Sequence, residues 1–540
     1  MVNKPNYIEI INQYEEFSFV KQKEESVLFE YKNGKDFTLF HFNLDYDYNE
    51  QMPFIFANNF EEDFPHVLLE SIQYENIDYK YICLYEKEEY VFSDLSELEK
   101  VHFLLNRLQS LLSLNGNERE REFQKEFLNY WNSQVTTNFM PHTFISCNEE
   151  FLILDYYLNK GSYRVLSKDK ILNDISKWKK TKELGLLIPI TDKRGIIPPT
   201  KQKGWTNETI LSILKNCQEN KISPETYQAL KKTVIKKKKV DLYFTMAFED
   251  ERSLLFGCSL FFKNSGAKLF FDKIADDVEK VEPFIVYRED YTYLNQCIGN
   301  NTVEKKVAVV GCGSLGSYVA NELVKSGVKN LALVDDDIYS NENTFRHTLL
   351  HFWKRFNKAE ALKHTLESVH PEIFVESFTQ RINKNNVESF IVDYNIDVLI
   401  FCIGSTDQQV AISKILHTNK CDCTVLYSWL EGDGKESHTL AIPKNAKGCY
   451  QCLKQELKEI FPTIELNEHE NWIHDGCGGT RSKYGNRLLL IATNGVLECF
   501  EKALRRDYTF AISSGIVRGL NDSKLAGSGC EYCGEKDKKI

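Results

Sequence analysis

Three groups of residues in this 540-residue chain have types and spacings that could do chemistry. The first is a loop, Gly311-x-Gly313-x-x-Gly316, followed by a run of acids beginning at Asp335. Glycines at that spacing permit a tight turn and let the backbone approach a phosphate closely, while the following helix N-terminus supplies N–H donors and a positive dipole end. Asp335, with Asp337 in the same run, stands roughly 20 residues beyond the loop, where an acid can hold a ribose hydroxyl. These features suit a dinucleotide dehydrogenase as well as an ATP site. Asn343, Arg346 and Lys358 tip the balance, because two cations near a phosphate loop can neutralise a triphosphate and its pyrophosphate leaving group, whereas hydride transfer has no such need. Either cation alone reads more simply as a surface ion-pair residue.

The second group is a pair of Cys-x-x-Cys units, Cys449/Cys452 and Cys530/Cys533, each beside glycine. Two such units supply the four soft ligands of a closed tetrahedral zinc site. The third group is the thiols that could carry an acyl group. Cys477 lies between the zinc pairs in His-Asp-Gly-Cys-Gly-Gly-Thr-Arg, where glycines permit an exposed loop and Arg481 could favour the thiolate. The alternative for Cys477 is a third structural thiol or a spare metal ligand. Cys499, in Val-Leu-Glu-Cys-Phe, reads as helix core.

The elements that must position these residues fall into three expected regions. Residues 1–132 are strand-rich and aromatic and end in a helix with Leu98, Val101, Leu104, Leu105, Leu108, Leu111 and Leu112 at three-and-four spacing, which predicts a small α+β domain. Residues 133–298 are mixed strand and helix text with a Pro198-Pro199 break and no motif, forming a linker or middle domain. The run Lys236 to Lys239 reads as a solvated linker. Residues 299–540 open as strand (306–310), glycine turn, helix (315–326) and strand (331–334), a βαβ unit, so this part is an α/β domain of the Rossmann-like kind.

Composition excludes several classes. With 42% hydrophobic residues the chain can fill several cores, and no apolar run nears the ~20 residues needed to span a bilayer; Leu488 to Leu497 is too short and contains Thr493 and Asn494. No charged-then-apolar leader opens it, so a cytoplasmic protein with no membrane contact is expected. There, 15 cysteines are metal ligands, nucleophiles or buried thiols rather than disulfides. A net charge of −11 argues against direct nucleic-acid binding.

Val-Gly-Cys-Gly-Ser-Leu-Gly-Ser (310–317), Val-Asp-Asp-Asp (334–337), Asn343-x-x-Arg346, Lys358-Ala-Glu and the two Cys-x-x-Cys pairs together resemble the ubiquitin-activating and ThiF/MoeB-like adenylyltransferase superfamily. The resemblance covers about 301–535. It implies Mg-ATP-dependent adenylation of a protein's C-terminal carboxylate, with Asp335 on the ribose, Asn343, Arg346 and Lys358 facing the phosphates, a structural zinc, and a homodimer formed through the adenylation domain. The family usually carries Asp-x-Thr-Asp-Asn after a later strand; this chain has Phe-Cys-Ile-Gly-Ser-Thr-Asp-Gln-Gln (401–409), making Asp407 the magnesium candidate. Cys477 matches the placement of the family's thioester-forming cysteine.

In the amino-terminal region Met-Pro-Phe (52–54), Phe-Pro-His-Val (64–67), Tyr-Ile-Cys-Leu (81–84) and Leu-Gln-Ser-Leu-Leu (108–112) resemble, in order, a ubiquitin-conjugating fold with Cys83 as acceptor. The usual His-Pro-Asn is here Pro-His-Val, so no Asn supports an oxyanion. A buried strand thiol is the alternative for Cys83, and His66 and His102 are the candidates to assist it. The fusion of the two parts resembles the bacterial enzyme of CBASS antiphage operons, which implies ligation of the C-terminus of a cGAS-like nucleotidyltransferase to a target amine. Two other substrates stay open: a bacterial ubiquitin-like protein, or a sulfur carrier, which would need no Cys83 domain. A non-enzymatic scaffold with a degenerate nucleotide site is the remaining alternative.

Overall fold

The computed structural model describes residues 6–23, 26–33, 36–43, 52–58, 64–85, 94–145, 150–167, 170–200, 204–210, 212–213, 224–225, 228–229, 232, 237–247, 253–264, 278–431, 434, 436–444, 446, 448–452, 472–474, 480–505, 510–513 and 516–519. The chain divides into two compact units, one of Met1–Lys168 with Lys180–Arg288, the other of Asp169–Lys179 with Glu289–Ile540.

The first unit holds two sheets. The six strands β1 (Phe17–Lys23), β2 (Ser26–Asn33), β3 (Asp36–Asn43), β4 (Phe54–Ala57), β5 (Val67–Tyr74) and β6 (Ile77–Ile82) form an antiparallel sheet in the order 1-2-3-4-6-5. Helix α1 (Tyr7–Ile11) precedes it, and α2 (Glu97–Leu112), α3 (Gly116–Lys125) and α4 (Phe127–Ser133) follow. The leucine spacing read as a helix is α2, started by a capping box between Ser96 and Glu99. Its stripe of Val101, Leu104, Leu105, Leu108 and Leu111 packs on Ile55, Val67 and Ile82 of the sheet.

The second sheet of this unit is drawn from residues between His142 and Arg288; Gly185–Pro189 and Leu152–Asn159 lie at its middle, and Lys239–Ala247 pairs with Ser253–Phe262 toward one edge. The basic run therefore ends in a strand: Lys239 lies over the Phe139 ring and pairs with buried Asp241, which corrects the linker reading at its last residue. Asp241 accepts hydrogen bonds from Tyr156 and Ser259, so the charge buried mid-sheet is fully engaged.

In the second unit the expected βαβ opening is present. Strands β7 (Val303–Val310) and β8 (Val328–Val334) are parallel and joined by α5 (Ser314–Lys325). Then come α6 (Lys358–Val369), β9 (Phe374–Phe378), β10 (Val398–Phe401), α7 (Thr406–Thr418), β11 (Thr424–Leu430), β12 (Ser437–Ile442), α8 (Asn486–Arg505), β13 (Phe510–Ser513) and β14 (Ile516–Gly519). The sheet order is 9-8-7-10-11-12-13-14, parallel through β11 and antiparallel beyond it. Both faces of β7 are covered, with Val307 and Val309 in one core and Ala308 and Val310 in the other. That is why the strand reads as a continuous apolar run rather than an alternating one. Cys499, on α8, is buried in the first of these cores, as its sequence context predicts.

Candidate adenylation site

Strand order reverses between β7 and β10, and the crevice at the carboxyl ends of such strands is where open α/β sheets bind ligands. Gly311 ends β7 there with a φ of +90°, and a Cβ on it would lie 2.9 Å from Ile403 and 3.0 Å from the Cys402 carbonyl oxygen. At Gly316, in the first turn of α5, a Cβ would fall 1.7 Å from the Gly311 carbonyl oxygen. Gly313 differs: it is the N-cap of α5, it makes no side-chain cap, and a Cβ there would meet nothing within 4 Å. Two glycines thus let the loop close on the helix, and the third leaves its mouth open with first-turn donors unsatisfied by a side chain.

Asp335 lies directly after β8. Its carboxylate accepts from the N–H of Cys312 at 2.7 Å and the N–H of Asp337 at 2.7 Å, so it braces the glycine loop to the β8 end. Burial raises its carboxyl above the usual range, against the opposing pull of the backbone donors and of Lys358. Each oxygen retains a further lone pair for a ligand hydroxyl. Lys358 opens α6, is 7% exposed, and pairs with the more exposed Asp337 at 3.0 Å. The N-cap of that helix, Asn357, also bonds the Asp335 and Asp337 carbonyls, which ties α6 to the acid run.

Asn343 is buried and its amide oxygen accepts from the Ser340 N–H and hydroxyl, capping the 3-10 turn Asn341–Arg346. In this geometry its role is to shape the turn that ends in Arg346. Arg346 donates to the Tyr484 hydroxyl at 3.3 Å and lies over that ring, yet its Nε is buried with no hydrogen-bond partner among the described residues. A buried orphan donor on a cation costs free energy unless a ligand or a partner group satisfies it.

Sequence reading passed over His347. Its ring bonds the Cys312 carbonyl through Nε2 at 2.8 Å, and Nδ1 accepts the Leu349 N–H at 3.1 Å. The Nδ1 acceptor role puts the proton on Nε2, so a neutral imidazole joins the Arg346 segment to the glycine loop. Burial drives its pKa down to about 4 despite the bond to Cys312, and the charges of Lys358 and Arg346 push the same way. The only signal in the sequence was its adjacency to Arg346.

Asp407 is exposed in the first turn of α7, directly after β10 and so at the same sheet edge as Gly311 and Asp335. The acids actually brought together are Asp335, Asp336 and Asp337, whose carboxylates lie within 4.8 Å of one another, with Asp336 paired to Arg381 at 3.1 Å.

Of the proposed zinc ligands, Cys449 and Cys452 are buried with their sulfurs 3.7 Å apart. Two thiolates of a tetrahedral zinc at Zn–S of about 2.3 Å lie about 3.8 Å apart, so this half of the set fits the ion. Cys530, Cys533 and Cys477 lie outside the described residues. In the first unit, Cys83 follows β6 and is half-buried; its N–H bonds the His66 carbonyl at 2.8 Å. His102 instead bonds Tyr14.

Residues 300–488 match the family model described as ThiF family. The chain is 24% identical over 251 residues to a protein named ATP-dependent ubiquitin transferase-like protein Cap2 from Escherichia coli, covering 43% of this chain and 41% of that protein. It is 31% identical to the Cap2 of Pseudomonas aeruginosa over 32% of each chain. It is 30% identical to the adenylyltransferase and sulfurtransferase UBA4 of Candida glabrata, over 43% of this chain and 52% of that one. The matched regions therefore span about half or less of these relatives' own lengths. No helix among the described residues is long and apolar enough to cross a membrane.

Proposed function

We propose that the segment matching the ThiF family makes this chain an ATP-dependent enzyme that adenylates the C-terminal carboxylate of a protein, captures it as a thioester, and passes it to a target amine. The observation that carries the first step is the buried Nε of Arg346, unpartnered among the described residues, on a side chain held by Tyr484 in the segment that His347 ties to the open glycine loop. A phosphate chain entering over Gly313 supplies the acceptor that this donor lacks, and Lys358 brings a second, nearly buried cation to the same strand ends.

The carboxylate oxygen attacks the α-phosphorus, the bond to pyrophosphate breaks, and the cations stabilise the charge leaving with pyrophosphate. Mg2+ would be held by carboxylates of the 335–337 run and by Asp407, and it neutralises phosphate charge when bound. Zn2+ would be held by Cys449, Cys452, Cys530 and Cys533, contributing folding free energy to this half of the chain. Cys477 attacks the mixed anhydride, releasing AMP and forming a thioester. Cys83 then takes the acyl group before an amine does.

The Cap2 names support a conjugating rather than a sulfur-transferring outcome, and with the resemblance of the whole chain they favour a cGAS-like nucleotidyltransferase as substrate in antiphage defence. A homodimer through the adenylation domain is supported by the apolar exposure of the segment between β8 and α6, where Phe345 is 96% and Phe352 65% exposed, beside Ile338, Leu350 and Phe356. ATP–pyrophosphate exchange dependent on the protein substrate tests the reading. Exchange in the wild type, lost by at least 100-fold in Arg346→Ala, is expected; unchanged exchange in that variant would remove the Arg346 role.

A further inference from the structure

The turn between β10 and α7 is tied to the first cysteine pair by a buried amide. Gln409, in the first turn of α7, is 1% exposed, a rare place for a side chain with both donors and an acceptor to satisfy. Its Nε2 donates to the Ile403 carbonyl at 2.7 Å, and its Oε1 accepts from the Tyr450 hydroxyl at 3.2 Å. Tyr450 stands between Cys449 and Cys452 in the chain and is wholly buried. The Ile403 carbonyl fixes which end of the amide carries the nitrogen, because only a donor can meet it. Burial pushes the Tyr450 phenol up, and the charge of Glu431 acts the same way, so the hydroxyl remains a donor. A carboxylate at 409 would have no hydrogen for Ile403, and asparagine is one methylene shorter, so glutamine is the side chain that makes both bonds.

Both ends of this connection reach the nucleotide crevice. Ile403 follows Cys402, whose N–H bonds the Val310 carbonyl at 2.8 Å, and the Ile403 side chain comes within 2.9 Å of the point where a Gly311 Cβ would lie. The Gln409 N–H bonds the Ser405 carbonyl at 3.1 Å, so the backbone and side chain of one residue together close the span 403–409, which holds Asp407. On the other side the Tyr450 ring meets Tyr427 edge-on at 4.8 Å, and Tyr427 stacks at 5.2 Å on Phe401, the last residue of β10. Tyr450 therefore grips the end of β10 by packing and the turn beyond it by hydrogen bonding.

We propose that Gln409 is a positioning residue for nucleotide binding: held by Tyr450, it sets the turn from Ile403 to Asp407, which backs the phosphate loop at Gly311 and brings the magnesium candidate to the crevice. Gln409 touches no substrate and acts through Ile403 and Asp407. Gly311, with a φ of +90° and no side chain, has nothing of its own to hold its place, so the loop is located by what packs behind it. Cutting the amide from either neighbour leaves a buried polar group unpaired, and the turn relieves that cost by shifting away from the loop. The first cysteine pair thereby gains a task beyond folding, since it flanks the tyrosine that holds the rim of the site. This role rests on the adenylation reading.

Calorimetric titration of the full chain with Mg-ATP tests this, using Gln409→Leu and the milder Tyr450→Phe, which keeps the ring packing. A displaced rim weakens affinity at unchanged stoichiometry, whereas a merely structural role lowers the fraction of chains able to bind at unchanged affinity. Gln409→Leu is expected to raise the Kd by about 10-fold or more and Tyr450→Phe by about 3-fold. Hydrogen exchange supplies a readout without nucleotide: amides within 402–409 should exchange roughly 10-fold faster in both variants, while those of α6 keep the wild-type rate. A wild-type Kd in folded Gln409→Leu, or a fall in stoichiometry alone, overturns the proposal. Should Gln409→Leu fail to fold, a wild-type Kd and wild-type exchange in Tyr450→Phe overturn it equally. A wild-type chain that binds no Mg-ATP overturns the adenylation reading and this role with it, whereas binding that the variants leave unchanged overturns this role alone.

Discussion

Gly316 and Gly313 lie three residues apart in one loop, yet an added methyl group should act oppositely at the two. At Gly316 the Cβ of alanine would start 1.7 Å from the Gly311 carbonyl oxygen and 3.3 Å from the Cys402 Cβ. Reaching an ordinary contact of about 3.4 Å requires the loop and the first turn of α5 to separate by about 1.7 Å, and overpacking of this kind costs about 1–3 kcal/mol. For a unit of this size that is a fall in Tm of roughly 2–12 °C. Displacing the phosphate loop by more than 1 Å should also weaken activity by about 100-fold or more. At Gly313 the methyl group meets nothing within 4 Å and φ is −76°, so Gly313→Ala should melt within about 2 °C of the wild type. It projects from the N-cap position where phosphate must approach the backbone, so Mg-ATP affinity should drop by at least 10-fold, about 1.4 kcal/mol. Calorimetric ATP titration together with thermal melts reads both. Normal ATP affinity in Gly313→Ala would refute the placement of phosphate over that residue, and a wild-type melt for Gly316→Ala would refute the close packing of the loop.

Other expectations follow from single sites. Cys452→Ser should lower zinc content and soluble yield together, measured by elemental analysis of purified protein; wild-type protein without stoichiometric zinc would contradict the metal reading. The His347 pKa falls from 6.5 to about 4 on folding, so the unfolded chain binds the extra proton below pH 6.5. Stability from this residue is full above pH 6.5 and declines by up to about 3 kcal/mol as pH falls to 4. Denaturant melts should show His347→Gln with a shallower loss over that window, and parallel curves would contradict it.

The parts of this molecule legible in sequence are those set by local rules. The βαβ opening needed only an apolar strand, glycines and a helical period, and α2 needed only leucine spacing and a capping Ser96. Arg346 and Lys358 stand out in the sequence because charge beside a phosphate loop is informative wherever it sits. What stayed hidden depends on contacts made across the chain. His347 acquires its role from a carbonyl 35 residues away, and Gln409 is held by a tyrosine 41 residues further on. The second sheet of the first unit was unreadable for a related reason: Asp241 and Tyr243 are fully buried in a strand, so its polar residues mask the apolar pattern. Asp335 also has a bracing role that sequence does not show, one oxygen accepting from Cys312 in the glycine loop and the other from Asp337.

Adduct trapping distinguishes a relay of the activated carboxylate through two thiols from its transfer without one. Purified chain is mixed with ATP and a cGAS-like nucleotidyltransferase, then resolved on gels with and without thiol. A thioester without an onward acceptor accumulates, so Cys83→Ala should retain a thiol-sensitive adduct on residues 299–540 and lose the final conjugate. Cys477→Ala should lose every adduct while keeping pyrophosphate exchange, and removing the last residues of the substrate protein should abolish all signals. Final conjugate formed undiminished by Cys83→Ala, or adducts persisting in Cys477→Ala, would contradict the account.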